Sequence, residues 1–514
     1  MIRRLPLAVA VALAVPVPGV AGQLPYLTAP RGTLRIELGG RFDPTASEFA
    51  DGARRDFGDP SAAAALNAAG SPMVRDLEAR IGALLGRPAT AGSLGALSAD
   101  AMLQRGAGLI GLAAGITDRV TAFARIPIVS VRTEVRLEHD PAGATLGLNP
   151  ALLGDQASAQ FLAQFDGALD ELAARITAGD YAGDPALQEL ATRTLSEGGA
   201  LRDALTILLV GTDASPVLPT AASADGGELL TTVAAIRDRF GSSLGISGFT
   251  AAPGLPSAPI TAAGFDALVG SPAGLDLAPF DQQPLVGIGD VEVGVVALLA
   301  SSRSEIRRSW FGAWLSGSVT LPTGTPPDPR FLRDAGTGDG QLDVALGATI
   351  EAGRGSLGIR ATGSYRMQLE GSRGVRVGRR DEFLRPAYRG TTRDWNPGDV
   401  LELTAEPFLR LADRLAIVWA ATWIQRGEDR WTLPGGDPPA GTGNIAAMSE
   451  GTSASALRLG LGMSYAHAGQ TRTGEQRMPV EAGLAIERTV SSGSGMVPAP
   501  LTTRMWLRVY KRLW

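Results

Sequence analysis

Apolar residues alternate with polar or very small ones, position by position, in segment after segment of this 514-residue chain. Successive side chains of an extended strand point to opposite faces, so this pattern makes sheets with one apolar and one polar face. Leu34, Ile36, Leu38 and Phe42 alternate with Arg35, Glu37, Gly39 and Arg41. Val291, Val293 and Val295 oppose Asp290 and Glu292, and Leu342, Val344, Leu346 and Ile350 oppose Asp343, Gly347 and Glu351. Leu357, Ile359 and Tyr365 stand opposite Arg360 and Arg366, while Leu401, Leu403 and Leu409 stand opposite Glu402, Glu406 and Arg410. Leu457, Leu459 and Leu461 oppose Arg458, and Val480, Leu484 and Ile486 oppose Glu481 and Glu487. Five more segments, roughly 106–117, 119–137, 306–321, 413–425 and 501–514, read as strands less cleanly. In 119–137 the apolar parity changes near Pro127, which predicts a bulge. In 413–425 both faces are apolar, and the register stays open.

The connections between these twelve segments alternate in length. Ile116 to Arg119, Ser301 to Glu305, Ala352 to Gly355 and Leu411 to Arg414 are tight turns, and Ala466 to Pro479 is a longer one. Between them fall the loops 43–105, 138–284, 322–339, 370–398, 427–454 and 491–499. Short turns at one end and long loops at the other predict an all-β membrane barrel of about 12 antiparallel transmembrane strands. Its short turns and both of its ends face the periplasm. The strands, at ~11–16 residues, exceed the ~5–6 usual in soluble sheets and reach the ~9–11 that a tilted membrane strand needs. A soluble sandwich or propeller tolerates the same alternation. The charges on the polar face, however, suit a wet interior and not a dry core.

Export fits this picture. Arg3 and Arg4 precede an apolar run from Leu5 to Val20 that ends in small residues, which predicts a signal peptide over 1–22. No later segment reaches ~18 uninterrupted apolar residues, so helical spans are not expected. The chain has no Cys, which removes disulfides and thiolate sites, and only two histidines, His139 and His467. Its net charge of −5 offers nucleic acid no basic surface.

Residues 140–283 differ in kind. Phe161, Phe165, Leu169, Leu172 and Ile176 recur at helical spacing, and Asp184-Pro185 caps a second helix carrying Leu187, Leu190 and Leu195. Leu229 to Phe240 gives another short helix, with 212–226 and 250–283 as Pro/Ala/Ser/Gly-rich connectors. The expected organisation is therefore barrel strands 1–3 in 32–139, a helical extracellular insert in 140–283 acting as lid or plug, and strands 4–12 in 284–514.

Several stretches resemble Gram-negative outer-membrane barrels of the meta-pathway phenol-degradation type, loosely related to fatty-acid-transporter-like channels. They are Gly115-Ile116-Thr117-Asp118-Arg119-Val120 with Ile126-Pro127-Ile128-Val129; Gly287-Ile288-Gly289-Asp290-Val291-Glu292-Val293-Gly294; and Leu321-Pro322-Thr323-Gly324 with Gly338-Asp339-Gly340-Gln341-Leu342-Asp343-Val344. The resemblance implies a channel or uptake barrel for small, hydrophobic compounds. Trp514, closing a strand in which Met505, Leu507 and Val509 alternate with Trp506, Arg508 and Tyr510, looks like the signal read by the barrel-assembly machinery. Arg512 stands where that signal usually has an aromatic.

The expected partners are outer-membrane lipid, that machinery and a small-molecule solute, with the oligomeric state open. No catalytic residue, cofactor or metal is assigned. His139-Asp140 lacks a partner nucleophile and reads as a solvated loop pair. The run Asp334 to Gly340 lacks the alternating oxygen ligands of a calcium loop and reads as a turn. What remains is the lumen, whose expected lining is Arg35, Glu37, Asp290, Glu292, Asp343, Arg360, Arg366, Glu402, Glu406, Arg410, Arg458, Glu481, Glu487, Arg504 and Arg508. A channel is the leading reading. A surface-anchored binding or structural barrel is the alternative, and an outer-membrane hydrolase the third.

Overall fold

The computed structural model describes residues 27–59, 62–211, 214–278, 284–304, 306–379, 382, 384–412, 414–432, 445–467 and 480–513. The expected signal peptide and Trp514 lie outside the described residues, as does most of the connection from Ala466 to Pro479.

Strands β1 (Thr33–Thr45), β2 (Ala96–Gly115), β3 (Val120–Asp140), β4 (Val291–Ser304), β5 (Ser309–Leu321) and β6 (Asp343–Arg354) pair antiparallel in chain order. They continue into β7 (Leu357–Gln368), β8 (Val400–Ala412), β9 (Leu415–Arg426), β10 (Ala454–His467), β11 (Val480–Ser494) and β12 (Leu501–Arg512). β12 returns to β1, from Thr33 opposite Arg512 to Phe42 opposite Thr503, so the sheet closes and leaves no edge. A further segment, Leu285–Ile288, pairs with β3 above β4 and continues the same stave. The barrel therefore has twelve staves, one for each segment that the alternation marks. No helix among the described residues is long and apolar enough to cross a membrane.

The apolar rows face outward. Leu346, Leu459, Leu461 and Met463 are all about half exposed, as are Leu38 and Leu484, while their polar neighbours are covered. The geometry also settles β9: Trp419 and Trp423 point out, and Ala416, Val418 and Thr422 point in. Inside, flat aromatic rings lie over glycines of the neighbouring strand. A Cβ on Gly353 would meet the Trp310 ring at 2.0 Å, and one on Gly358 the Phe408 ring at 2.2 Å. These glycines are where the bare backbone leaves room for a ring.

The ladder from β2 to β3 runs past Pro127 without a register shift, from Ala96 opposite Asp140 to Gly115 opposite Thr121. The irregularity lies on the other side, where Arg125 faces Glu292 but Ile128 faces Ile288, so β4 carries one extra residue around Gly289 to Val291. Parity within β3 is unbroken, and what changes is the surroundings. Toward the turn end, Ile126 and Ile128 are exposed and Thr121 and Arg125 point in. Toward the loop end, Arg132, Glu134 and Arg136 occupy the outward row, while Val131 and Val135 are buried on the inner one. β2 inverts in step, with Ile110 and Leu112 outward below and Leu97 buried inward above. At 20 and 21 residues these strands run about 65 Å at ~3.3 Å per residue. They extend well past the apolar belt.

The projecting hairpin carries a helical cap. Its helices are α1 (Pro72–Leu85), α2 (Ala157–Ala178), α3 (Pro185–Leu209), α4 (Ala224–Asp238) and α5 (Ala262–Gly270). Asp184 accepts hydrogen bonds from the amides of Ala186 and Leu187, as its place before Pro185 predicts. α1 lies in the loop 43–105 and α5 in a stretch read as connector, so the helical part is not confined to 140–283. One apolar core joins Leu77 and Ile81 of α1, Phe161 and Phe165 of α2, Leu205 of α3, Val233 of α4 and Phe265 of α5 to Leu97 and Val135 of the hairpin.

Candidate functional site: the barrel interior and its mouth

Toward the turn end the inward side chains satisfy one another. Arg125 pairs with Glu292 at 3.1 Å, and Arg508 holds Glu37 at 3.0 Å and Glu481 at 3.5 Å. Tyr510 donates to Glu481, and Arg35 to the Leu27 carbonyl at 3.3 Å. The segment before β1 tucks in here: the Ala29 amide donates to Thr121 Oγ1 at 2.7 Å, and both residues are buried. Across the barrel, Arg360 holds Glu351 at 2.8 Å with both side chains almost wholly covered. Glu406 faces Arg360 in register, is also buried, and leaves Oε2 without a hydrogen bond. Trp310 donates to Glu351 at 3.0 Å beneath the Arg410 guanidinium, 3.8 Å from the ring.

Nearer the loop end the interior is looser. Arg504 pairs with Glu487 at 3.0 Å, and Arg41 with Asp43 at 2.5 Å. Hydroxyls meet across the strands, Thr349 with Thr362 at 3.2 Å and Thr404 with Thr422 at 3.1 Å. Arg366 stands 3.8 Å from Asp343. Glu402 and Arg458 are half-buried on the inward side, as is Arg105, which the weak alternation of β2 hides from sequence analysis. Arg125 is missed for the same reason. Asp290 sits at the break in β4, where its carboxylate accepts the amides of Gly324 at 2.9 Å and Asp339 at 3.1 Å. There it organises a loop.

That loop, 322–342, folds over the mouth. Its Arg333 pairs with Glu48 beyond β1, lies 3.9 Å over the Phe57 ring, and accepts through its carbonyl a hydrogen bond from Thr133 of β3. The acids of the Asp334 run act as backbone caps: Asp334 accepts the amides of Asp328 and Gly336, and Asp339 that of Gln341. Burial, reinforced by the charge of Asp290, raises the Asp339 carboxyl above its ordinary range. The loop from β7 to β8 reaches the cap, with Arg389 bidentate on Asp76 of α1 and Arg376 donating to the Asp276 carbonyl at 2.8 Å. Arg373 stacks on Trp395 at 3.6 Å, where burial pushes it down to about 10.

His139 is not a solvated loop residue. Its ring stacks on Phe265 of α5 at 4.4 Å, and Nε2 lies 2.6 Å from the Leu94 carbonyl oxygen, its only hydrogen bond among the described residues. It joins the cap to the hairpin tip. The side chain of His467 lies outside the described residues. No cluster of three or more metal-ligating side chains occurs among the described residues.

No protein-family profile and no curated protein matches the chain. Solved structures do. An outer-membrane channel from Pseudomonas putida F1 is similar over 94% of this chain and 96% of that one, at 9% identity and a TM-score of 0.40. A FadL homologue of Pseudomonas aeruginosa is similar over 94% and 91%, at 7% identity and a TM-score of 0.26. The toluene transporter TodX of P. putida is similar over 94% and 91%, at 9% identity and a TM-score of 0.26. At these scores the barrel stands on its own strand pairs and the site on its own residues.

Proposed function

We propose that this protein is an outer-membrane channel that passes small solutes, with the cap and the long loops controlling entry. The exposed apolar belt supports membrane insertion, because an unpartnered apolar surface of this extent would not stay in water. Outward aromatics stand toward both rims of it, Phe311 and Tyr465 toward the turns, and Tyr365 and Trp423 toward the loops. In this reading residues 1–22 are a cleaved signal peptide, the turns are periplasmic, the loops and the unit 140–283 are extracellular, and the barrel-assembly machinery inserts the chain. Fourteen of the fifteen inward charges expected from the sequence would line the passage, Asp290 being taken up by the loop 322–342.

One observation carries the channel reading: Arg105, Arg366, Glu402 and Arg458 remain accessible charged groups inside the loop-end half of a closed barrel. A barrel serving only as an anchor has no need of open, charged space. The test is solute entry into liposomes containing the full chain. Swelling in small sugars or organic solutes supports the channel, and sealed liposomes around a folded barrel count against it.

The surface-anchor reading has its own support in the covered turn-end half, where Glu351, Arg360, Glu406 and Phe408 are all nearly inaccessible. That packing narrows the turn-end half along β6 to β8 and leaves the passage to the rest of the lumen.

A further inference from the structure

We infer that the loop-end half of the barrel interior binds small carboxylates through Arg105 and Arg458. As a statement about what is transported, this rests on the channel reading; as a binding site it does not.

Toward the turn end, Arg125, Arg360 and Arg508 each have a carboxylate in contact. Arg105 and Arg458 do not. Neither makes a hydrogen bond or ion pair with any described residue, although carboxylates are close. Asp43 faces Arg105 directly across the β1–β2 ladder, but one of its oxygens takes Arg41 and the other the Thr502 hydroxyl at 2.5 Å. Arg458 faces Thr422 on one side and Thr489 on the other. The nearby Glu487 is held by Arg504, and Glu402 stands two strands away. Both side chains are half-buried on the inward face, and their donors are not taken up by described residues.

Their surroundings define what they suit. Arg41 faces Arg504 in register, so the arc from β10 through β12 and β1 to β2 holds four guanidiniums against two committed carboxylates, Asp43 and Glu487. Arg458 is within electrostatic reach of Glu402, and Arg105 of Asp290 and Asp339. With Glu402, Asp290 and Asp339 counted, the neighbourhood carries no excess of positive charge, so what it offers is two guanidiniums without a carboxylate in contact, enough for a small carboxylate and not for a polyanion. A carboxylate matches the fork of a guanidinium and takes two parallel hydrogen bonds from it. The half-buried Thr349–Thr362 hydroxyl pair on β6 and β7 offers the rest of a small solute neutral hydrogen-bonding groups.

The experiment uses the full chain folded in detergent, with benzoate, benzyl alcohol and benzylammonium as probes that share a ring and differ in charge. Equilibrium dialysis should retain benzoate alone. Arg105→Gln with Arg458→Gln should weaken retention about tenfold or more, as losing charged hydrogen bonds does, while the Lys pair, which keeps the charge and loses the fork, should fall between the Gln pair and the unaltered chain. Should the Gln pair not assemble, the unaltered chain still decides: benzoate should protect Arg105 and Arg458 from an arginine-specific dicarbonyl reagent, read by peptide mass spectrometry. Equal retention of all three probes, unchanged retention by the Gln pair, or no protection would overturn the inference. Arginine-dependent binding in a barrel that passes no solute would overturn the channel reading and leave the site standing. Permeation blind to charge, without benzoate binding, would do the reverse.

Discussion

Arg333 and Glu48 lie 285 positions apart and meet in a two-pronged ion pair at 3.0 and 3.2 Å, both side chains almost wholly covered. The pair ties the loop 322–342 to the chain just beyond β1 and holds that loop across the mouth. Arg333→Met leaves Glu48 with the Arg55 contact at 2.9 Å, so the cost should stay below the ~3–5 kcal/mol of a buried charge left wholly unpaired. The loop should loosen while the barrel ladder, which takes no part in the pair, stays intact. Limited proteolysis should cut 322–342 much faster in the variant, and heat-modifiable gel migration should be unchanged.

Cost should follow the face of the sheet. Leu346 and Leu459 point outward, 59% and 47% exposed. Leu346→Arg or Leu459→Arg should cost about 2–4 kcal/mol near the bilayer midplane. Ser364 points inward and faces Glu402 in register, so Ser364→Arg should cost little. Folding titrations into lipid vesicles measure all three.

The Asp339 carboxyl is held above its ordinary value of 3.8 by burial and then by Asp290. A folded value above the unfolded one means that the folded loop holds the proton more tightly. That contribution is complete below the unfolded value and disappears as pH rises through the raised one. The loop 322–342 should therefore be tighter below about pH 3.8 than at about pH 8, and Asp339→Asn should abolish the difference. Hydrogen exchange of the loop amides, corrected for intrinsic rates, reads it.

The twelve staves are legible because period-two alternation is a local signal and the bilayer enforces it strand by strand. β9 is the exception: Val418 lies inward against Phe408 and Trp310, so an apolar residue fills an inner position and the pattern blurs. The reading at Pro127 shows a second limit. The apolar residues of β3 change rows because the hairpin leaves the apolar belt and its inner face meets the cap, an event that single-chain periodicity renders as a slip of parity. α1 had a usable signal in Ser71-Pro72, followed by Val74, Leu77 and Ile81 at helical spacing, and the hydroxyl of Ser71 does cap the helix at the Val74 amide. Arg105 had none, because whether a cation is paired depends on Asp43, Arg41 and Thr502, three residues on two other strands.

Replacing residues 141–283 with a Gly/Ser linker should leave a folded barrel, since strands close their hydrogen bonds among themselves and loop length costs only logarithmically. It should also bare Leu77 and Ile81 of α1 and Leu97 and Val135 of the hairpin, which share the removed core. The loop-end halves of β2 and β3 should then exchange amide hydrogens faster than β10 and β11, which the cap core does not touch. Uniform loosening of all strands would mean that the cap is part of the barrel's own core.

The most direct test of the account is solute flux through the full chain reconstituted in liposomes, compared with liposomes carrying an unrelated filled barrel. The account predicts swelling in small organic solutes above that background, rising further when residues 141–283 are removed. Folded, heat-modifiable protein in liposomes that remain sealed, with and without those residues, would contradict it and leave the surface anchor.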